Sequence, residues 1–509
     1  MADSTQQEPL SLEKGEAVSK VLSADVSPSP PQPDFPTDAH LGRGEIEVIR
    51  IRQGNAILRK LKATEEWMDR KLGVESTGAE RVREDQRRPP HILNMMLLWF
   101  SMLMSPGLIT MGMLGPLLGL SVNESIGLSD AATVIGSVIP GFTATLCAPL
   151  GLRQIAVSRY AFGIWGAKIC GLLNIIVNIG FGTVNCIVAG QLQSAVSGGS
   201  LTIVVGIVIV CIGSFLVSFC GFRWIQKYES VAWFLILVFL CVQFGQAARY
   251  FSPTPALSSV AGLDRTGAAL TYFAIVFGEA SAWCSLAGDY YYVHYPPSIN
   301  KWLVFGMTWT GLTIPTVFVL ILGNYYGGIV VPDSKLSDAY NYGRVGALIL
   351  ATMSPSGWAK FVCVMYSGKQ HCDHLLNTLL AAIMLALAWG GRSSLEAILE
   401  NFLALLGYWT ICFGTILAIE AFWFRRRLGG YDIEGWQDQS RMPWGLAGCG
   451  SLALGIGVSF LGMNQTWYVG PVARLIGSGG GDVGKYFTLV AVLISYPILG
   501  TIEIDKFSR

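Results

Sequence analysis

The sequence predicts an all-α polytopic membrane protein, and three observations predict it. Of its 509 residues, 52% are apolar and 14% charged, with a formal net charge of +1 and a mean hydropathy of +0.49; soluble domains carry about 25% charged residues. Charge is concentrated at one end: residues 1–91 hold 30 charged side chains (14 Lys/Arg and 16 Asp/Glu), and the remaining 418 hold 39. From Asn94 onward, apolar runs of roughly 17 to 25 residues recur, the length a helix needs to cross the hydrocarbon layer. The runs lack the period-two alternation of barrel strands. The balanced charge disfavours a nucleic-acid partner, which would call for a basic excess, and makes the lipid bilayer the expected surrounding.

Residues 1–91 have no signal-peptide core and five prolines between Pro28 and Pro36, which predicts a cytoplasmic, largely disordered tail. Within it, residues 55–72 place apolar positions at helical spacing among Arg59, Lys60, Lys62, Arg70 and Lys71. That pattern reads equally as a surface amphipathic helix or a packed one. The transporter-like domain is expected over 92–505, with a short cytoplasmic end at 506–509.

Spans are predicted near 94–118, 131–150, 165–190, 201–220, 230–250, 266–288, 302–326, 397–423, 444–463 and 486–503. Lys and Arg favour the cytoplasmic side of short loops. Arg81, Arg83, Arg87 and Arg88, then Arg153 and Arg159, then Arg223 and Lys227, place the amino terminus inside. Arg425, Arg426 and Arg427 require an even number of crossings after the 223–227 loop. That holds only if 343–391 crosses twice, giving twelve spans and both termini inside. The eleven cysteines show no paired spacing and read as small buried hydrophobes. The sequons Asn123-Glu124-Ser125 and Asn464-Gln465-Thr466 lie too close to the membrane to predict glycosylation.

Two spans carry signals of interruption. Span 1 has Ser105-Pro106-Gly107 at mid-depth; proline removes a donor and glycine loosens the chain. Freed backbone there must find protein partners or line a cavity, so a packed kink and a binding-site break both fit. Span 6 combines Gly278, Glu279, Trp283 and Asp289 with small residues. A carboxylate inside a span is a functional candidate by default; Glu279 is either a protonation site or a helix-paired group. Trp283 reads as a stacking surface or an interfacial anchor. Broken spans at corresponding positions of two halves point to a transporter site in inverted repeats, here five plus five with two spans appended. In span 3, Asn174 and Asn178 are expected to bond neighbouring helices. Phe181 and Asn185, four apart on one face, offer a ring and an amide to a flat polar heterocycle. Lys168 and Asp289, near cytoplasmic ends, are candidates for a gate pair. His371-Cys372-Asp373-His374 is too crowded for a metal site, so no metal is expected. No phosphate-binding loop or nucleophile elbow is present, and no enzyme activity is predicted.

Several stretches carry a resemblance: Gly73-Val74-Glu75 with Glu80-Arg81-Val82, Gly112 to Pro116, Ser158 to Gly163, Leu399 to Phe402 with Gly407-Tyr408-Trp409, and above all Gly462 to Pro471 continuing to Gly480-Gly481-Asp482-Val483-Gly484. From about residue 45 to its end the chain resembles the fungal purine-cytosine permeases of the nucleobase-cation symporter superfamily. The resemblance implies proton-coupled import of cytosine, adenine, guanine and hypoxanthine across the plasma membrane by alternating access, with no cofactor beyond the co-transported proton. It places the family's span 6 tryptophan on Trp283, its span 3 amide on Asn185 and its small hydroxyl region on Ser105 to Gly107. Its second stacking aromatic, usually Trp, falls on Phe181, which keeps a face but loses an indole N–H.

Span 8 departs further. The family has an Ile-Val-Ala-Asn-Asn-Ile-Pro type segment, where this chain reads Tyr366-Ser367-Gly368-Lys369-Gln370-His371 and the helix 9 pattern resumes near Leu375. Removing one base from codons for the present residues yields Ile-Val-Ala-Asn-Asn, so a shifted frame or a misplaced splice is expected there. The span is damaged or truncated. That damage leaves open a non-transporting receptor, and the resemblance leaves open a transporter of a vitamin or an allantoin-like heterocycle.

Overall fold

The computed structural model describes residues 81–87, 89–218, 222–248, 251, 258–329 and 373–507. The tail through residue 80, its 55–72 helix, and 330–372 with span 8, Tyr366 and His371 lie outside the described residues.

The first span is two helices, α1 (Ile92–Leu103) and α2 (Pro106–Leu117), bent by 60°. Ser105 between them is extended, with φ −128° and ψ 148°, and Pro106 takes the first position of α2, where a missing N–H costs nothing. The second span, α3 (Val122–Gly136) with α4 (Val138–Leu150), begins well before the expected 131. Ser121 starts it through a capping box: its Oγ accepts from Glu124 N (3.3 Å), while Glu124 Oε2 accepts from Ser121 N (3.1 Å). The polar residues that suggested a loop are helical, and Ser125 and Ser129 face the core.

Next come α5 (Arg159–Val196), α6 (Ile203–Ser218), α7 (Phe222–Ala248) and α8 (Gly262–Ser281). Gly163 kinks α5 with φ +65°, a conformation that favours glycine, and a side chain there would meet the Pro443 and Trp444 backbone. At its end α8 gives way to two 3-10 turns, Ala282–Ser285 and Ala287–Tyr290. Then follow α9 (Lys301–Ile329), α10 (Asp373–Gly391), α11 (Leu395–Ile419), α12 (Leu446–Ser459) and α13 (Gly484–Phe507). A π-helical turn, Glu420–Phe424, extends α11. A hairpin of β1 (Asn464–Gln465) and β2 (Tyr468–Val469) precedes α13.

Among the described residues, seven segments, counting the bent pair as one, are long and apolar enough to cross a membrane, and four shorter apolar helices accompany them. These eleven segments fall at the expected spans other than span 8. Close approach of backbones holds the bundle, as small residues permit: a Cβ on Gly112 of α2 would lie 2.9 Å from the Gly323 Cα of α9. Arg87, expected as a loop charge, is buried and donates to Ala148 O (2.6 Å) and Tyr295 O (2.8 Å), stapling the entrance to span 1 onto spans 2 and 6. Two of the sequence motifs meet at the opposite end, where Asn401 Oδ1 accepts from Thr466 N (2.9 Å).

Candidate functional site

Both interruptions touch α5, the first at Asn185 and the second at Asn174. At the first, Asn185 of α5 reaches the broken backbone: its Oδ1 lies 2.9 Å from the place a Cβ on Gly107 would take, and Ser105 Oγ lies 3.7 Å from it. Any side chain at 107 would displace the amide. Ser105 is 4% exposed, so the break is sealed inside the protein.

The second interruption carries Trp283, 3% exposed, which packs edge-on against Trp99 of α1 with ring centroids 5.2 Å apart at 83°. Trp99 in turn meets Tyr290 edge-on at 5.0 Å. Phe181, 6% exposed, packs edge-on against Phe402 of α11 at 5.4 Å and 76°. Gly180 beside it leaves room for Phe402, and Gly182 leaves room for Met384. Both rings predicted to stack on a heterocycle therefore point into the bundle.

Polar side chains of adjacent helices hold the irregular end of span 6. Thr143 donates to Cys284 O (2.8 Å), and Ser281 shares a hydrogen bond with Thr410 (2.7 Å). Ser285 donates to Asn174 Oδ1 (2.7 Å), which also accepts from Asn178 Nδ2 (3.1 Å). Asn174 and Asn178 thus tie α5 to the turn after α8. Gly278 packs against backbone: a Cβ there would collide with Leu403 O of α11. Glu279, next to it in the last turn of α8, is 3% exposed.

Asp289 and Lys168 are not brought together. Asp289 Oδ1 accepts from Gln154 N (2.6 Å) at the α4–α5 turn. Lys168 lies 3.8 Å over the Trp165 ring, on an outward face shared with Ile169, Leu172 and Ile176.

Two further features escaped the sequence reading. Lys485 of α13, 5% exposed, reaches between α8 and α11, donating to Ala274 O and lying 5.3 Å from the Phe277 ring. Nearby Asp482 accepts from Tyr408 OH and from Gly484 N. A groove of about 680 Å³, lined by Glu124, Arg265, Phe273 and Tyr486 among others, opens between α3, α8 and α13. Only the polarity of the Gly480-Gly481-Asp482 motif hinted at the first, and no local pattern announced the second.

Comparison with known proteins bears on this geometry. Residues 82–372 match the family described as permease for cytosine/purines, uracil, thiamine, allantoin. The chain is similar to the purine-cytosine permease FCY2 of Saccharomyces cerevisiae, 30% identical over 86% of this chain and 88% of that protein. It is also similar to the vitamin B6 transporter TPN1 of the same yeast, 27% identical over 91% and 94%. Its fold is that of Mhp1, a nucleobase-cation-symport-1 family transporter solved in a closed conformation with bromovinylhydantoin bound. The TM-score is 0.63 at 16% identity, covering 85% of this chain and 96% of that one.

Proposed function

Because the chain belongs to the family of permeases for cytosine/purines, uracil, thiamine and allantoin, we propose that it imports cytosine and the purine bases adenine, guanine and hypoxanthine with a proton across the plasma membrane. It is a multi-pass membrane transporter and not an enzyme. The observation that carries the substrate reading is the approach of Asn185 to Gly107 at the first break, with the Phe181 ring one turn earlier on α5 and the Trp283 ring in the turn after α8 both buried.

A base enters between those rings. Stacking rewards any flat π-face, and the Asn185 amide, both donor and acceptor, selects among exocyclic groups. Carbonyls and N–H groups freed at Ser105 to Gly107 complete the edge of the base. The breaks in spans 1 and 6 support alternating access, since broken spans at the site are the feature such transporters share. Of the residues expected to couple or gate, Glu279 and Asp289 belong to the irregular end of span 6 and stay in the proposal as gating groups. Lys168, on the outward face, does not.

Vitamin B6 uptake is a second reading, favoured by similarity to a vitamin B6 transporter along 91% of this chain. Uptake of radiolabelled cytosine in cells lacking their own permeases separates the two. Competition by adenine and hypoxanthine, with none by pyridoxine, supports the first reading; the reverse pattern supports the second, and binding without accumulation would mark a receptor.

A further inference from the structure

Hydroxyls in membrane helices ordinarily satisfy themselves on a carbonyl one turn back, and most of those in span 2 do. Ser125 donates to Ser121 O (2.9 Å), Ser129 to Ile126 O (3.0 Å) and Thr145 to Phe142 O (2.7 Å). Asp130, Thr133 and Ser137 break the pattern. Spaced i, i+3, i+7, they share one face of the helix, and Asp130 Oδ1, Thr133 Oγ1 and Ser137 Oγ are all buried without a hydrogen-bond partner among the described residues. Thr133 and Ser137 are 0% exposed. Across from them, Thr313 Oγ1 of α9 is in the same condition, with Thr313 8% exposed. The two helices run antiparallel, with Val122 near Gly328 and Gly141 against Phe305, which sets Thr313 at about the depth of Thr133 to Ser137.

Beside this seam runs a satisfied network. Tyr272 of α8 donates to Asn324 Oδ1 (3.0 Å), with Gly112 O of broken span 1 at 3.3 Å, and Asn324 Nδ2 donates to Ser129 Oγ (3.2 Å). The groups around Asp130 are few. Tyr272 faces it from α8, whose Asp264, Arg265 and Glu279 stand about two turns away along that helix. Helices α2 and α4 bring no charged residue, and α9 only Lys301 at its start. Asp130 itself is half-buried, and the oxygen it does bury, Oδ1, has no donor among the described residues; a carboxylate so placed within a span is costly to keep charged, and a bound proton removes the charge.

We propose that Asp130 is the site of the co-transported proton, reached along the buried polar seam of Thr133, Ser137 and Thr313 and linked to the base site by Tyr272, Asn324 and Gly112. The inference rests on the symport reading above. In each cycle an O–H bond forms on Asp130 while the site is open outward and breaks once it opens inward. One proton thus moves with one base and the carboxylate is regenerated. Protonation is sensed at span 1 because the network ends on the α2 backbone about two turns past the break.

The test uses the full chain in proteoliposomes loaded with a pH-sensitive dye, with radiolabelled cytosine as substrate. Wild type should concentrate cytosine by about tenfold for each unit of inward pH gradient and acidify the lumen. Asp130→Asn should still exchange internal for external cytosine, yet stop at equal concentrations and move no protons; Asp130→Glu should restore both. Proton-coupled accumulation in Asp130→Asn, or its loss in Glu279→Gln alone, overturns the assignment. So does accumulation driven by sodium instead of protons. Wild type that neither binds nor exchanges cytosine would fail the transport reading itself, a different outcome. A monodisperse Asp130→Asn peak in detergent separates loss of coupling from loss of fold.

Discussion

At the scale of single residues, the breaks assign different work to two glycines that look alike in sequence. A methyl on Gly107 meets the movable end of an amide, whereas one on Gly278 meets the backbone carbonyl of Leu403. Gly107→Ala should therefore leave the amount of folded protein unchanged and impair uptake, while Gly278→Ala should lower the folded yield; fluorescence size-exclusion alongside uptake reads both. Asn185→Ala removes one buried partner of the base, about 1 to 3 kcal/mol, so the apparent affinity should weaken roughly 5- to 150-fold. Asn185 stood out in the sequence because an amide is rare in an apolar run, and Phe181 because it shares that helix face; their part in binding belongs to the proposal. Asp130 did not stand out, because it sits one position before the expected start of span 2, where Ser, Asn and Glu read as loop.

At the scale of elements, interruption was easier to read than extent. Proline beside serine and glycine announces the 60° bend of span 1, since its chemistry is local. The beginning of α3 depends on a capping box and on burial of Ser125 and Ser129 against other helices, which are tertiary facts. Position 105 tests whether the bend matters. A Ser105→Leu, Pro106→Ala double variant favours a continuous helix and should abolish uptake while leaving the protein at the membrane, as judged by surface labelling. Span 8 lies outside the described residues, and its frame is a matter for expression. Restoring the Ile-Val-Ala-Asn-Asn reading should raise cytosine uptake above that of the chain as given; equal uptake would show that the present segment suffices.

At the scale of the whole molecule, the two appended spans prove to be fastened to the core. Lys485 of α13 spans the contact between α8 and α11, its stem filling the room left by Gly407. It joins the helix that bears Trp283 to the one that bears Phe402. A buried cation with fitted partners is expensive to disturb, and truncation at such sites costs about 3 to 5 kcal/mol; Lys485→Ala should lower the thermal midpoint more than Lys168→Ala, whose head lies on the outward face. The sequence could separate tail from membrane and mark the two breaks. It could not show that a lysine from the last span reaches the sixth, because that contact joins residues 211 positions apart. The account turns on a flat base held at mid-depth between Phe181 and Trp283. An electron cryomicroscopy structure with adenine bound tests it most directly: the account predicts the ring between those two side chains, within hydrogen-bonding distance of Asn185. Adenine lodged instead in the groove of Glu124, Arg265 and Phe273, with Phe181 and Trp283 still packed on Phe402 and Trp99, would contradict it.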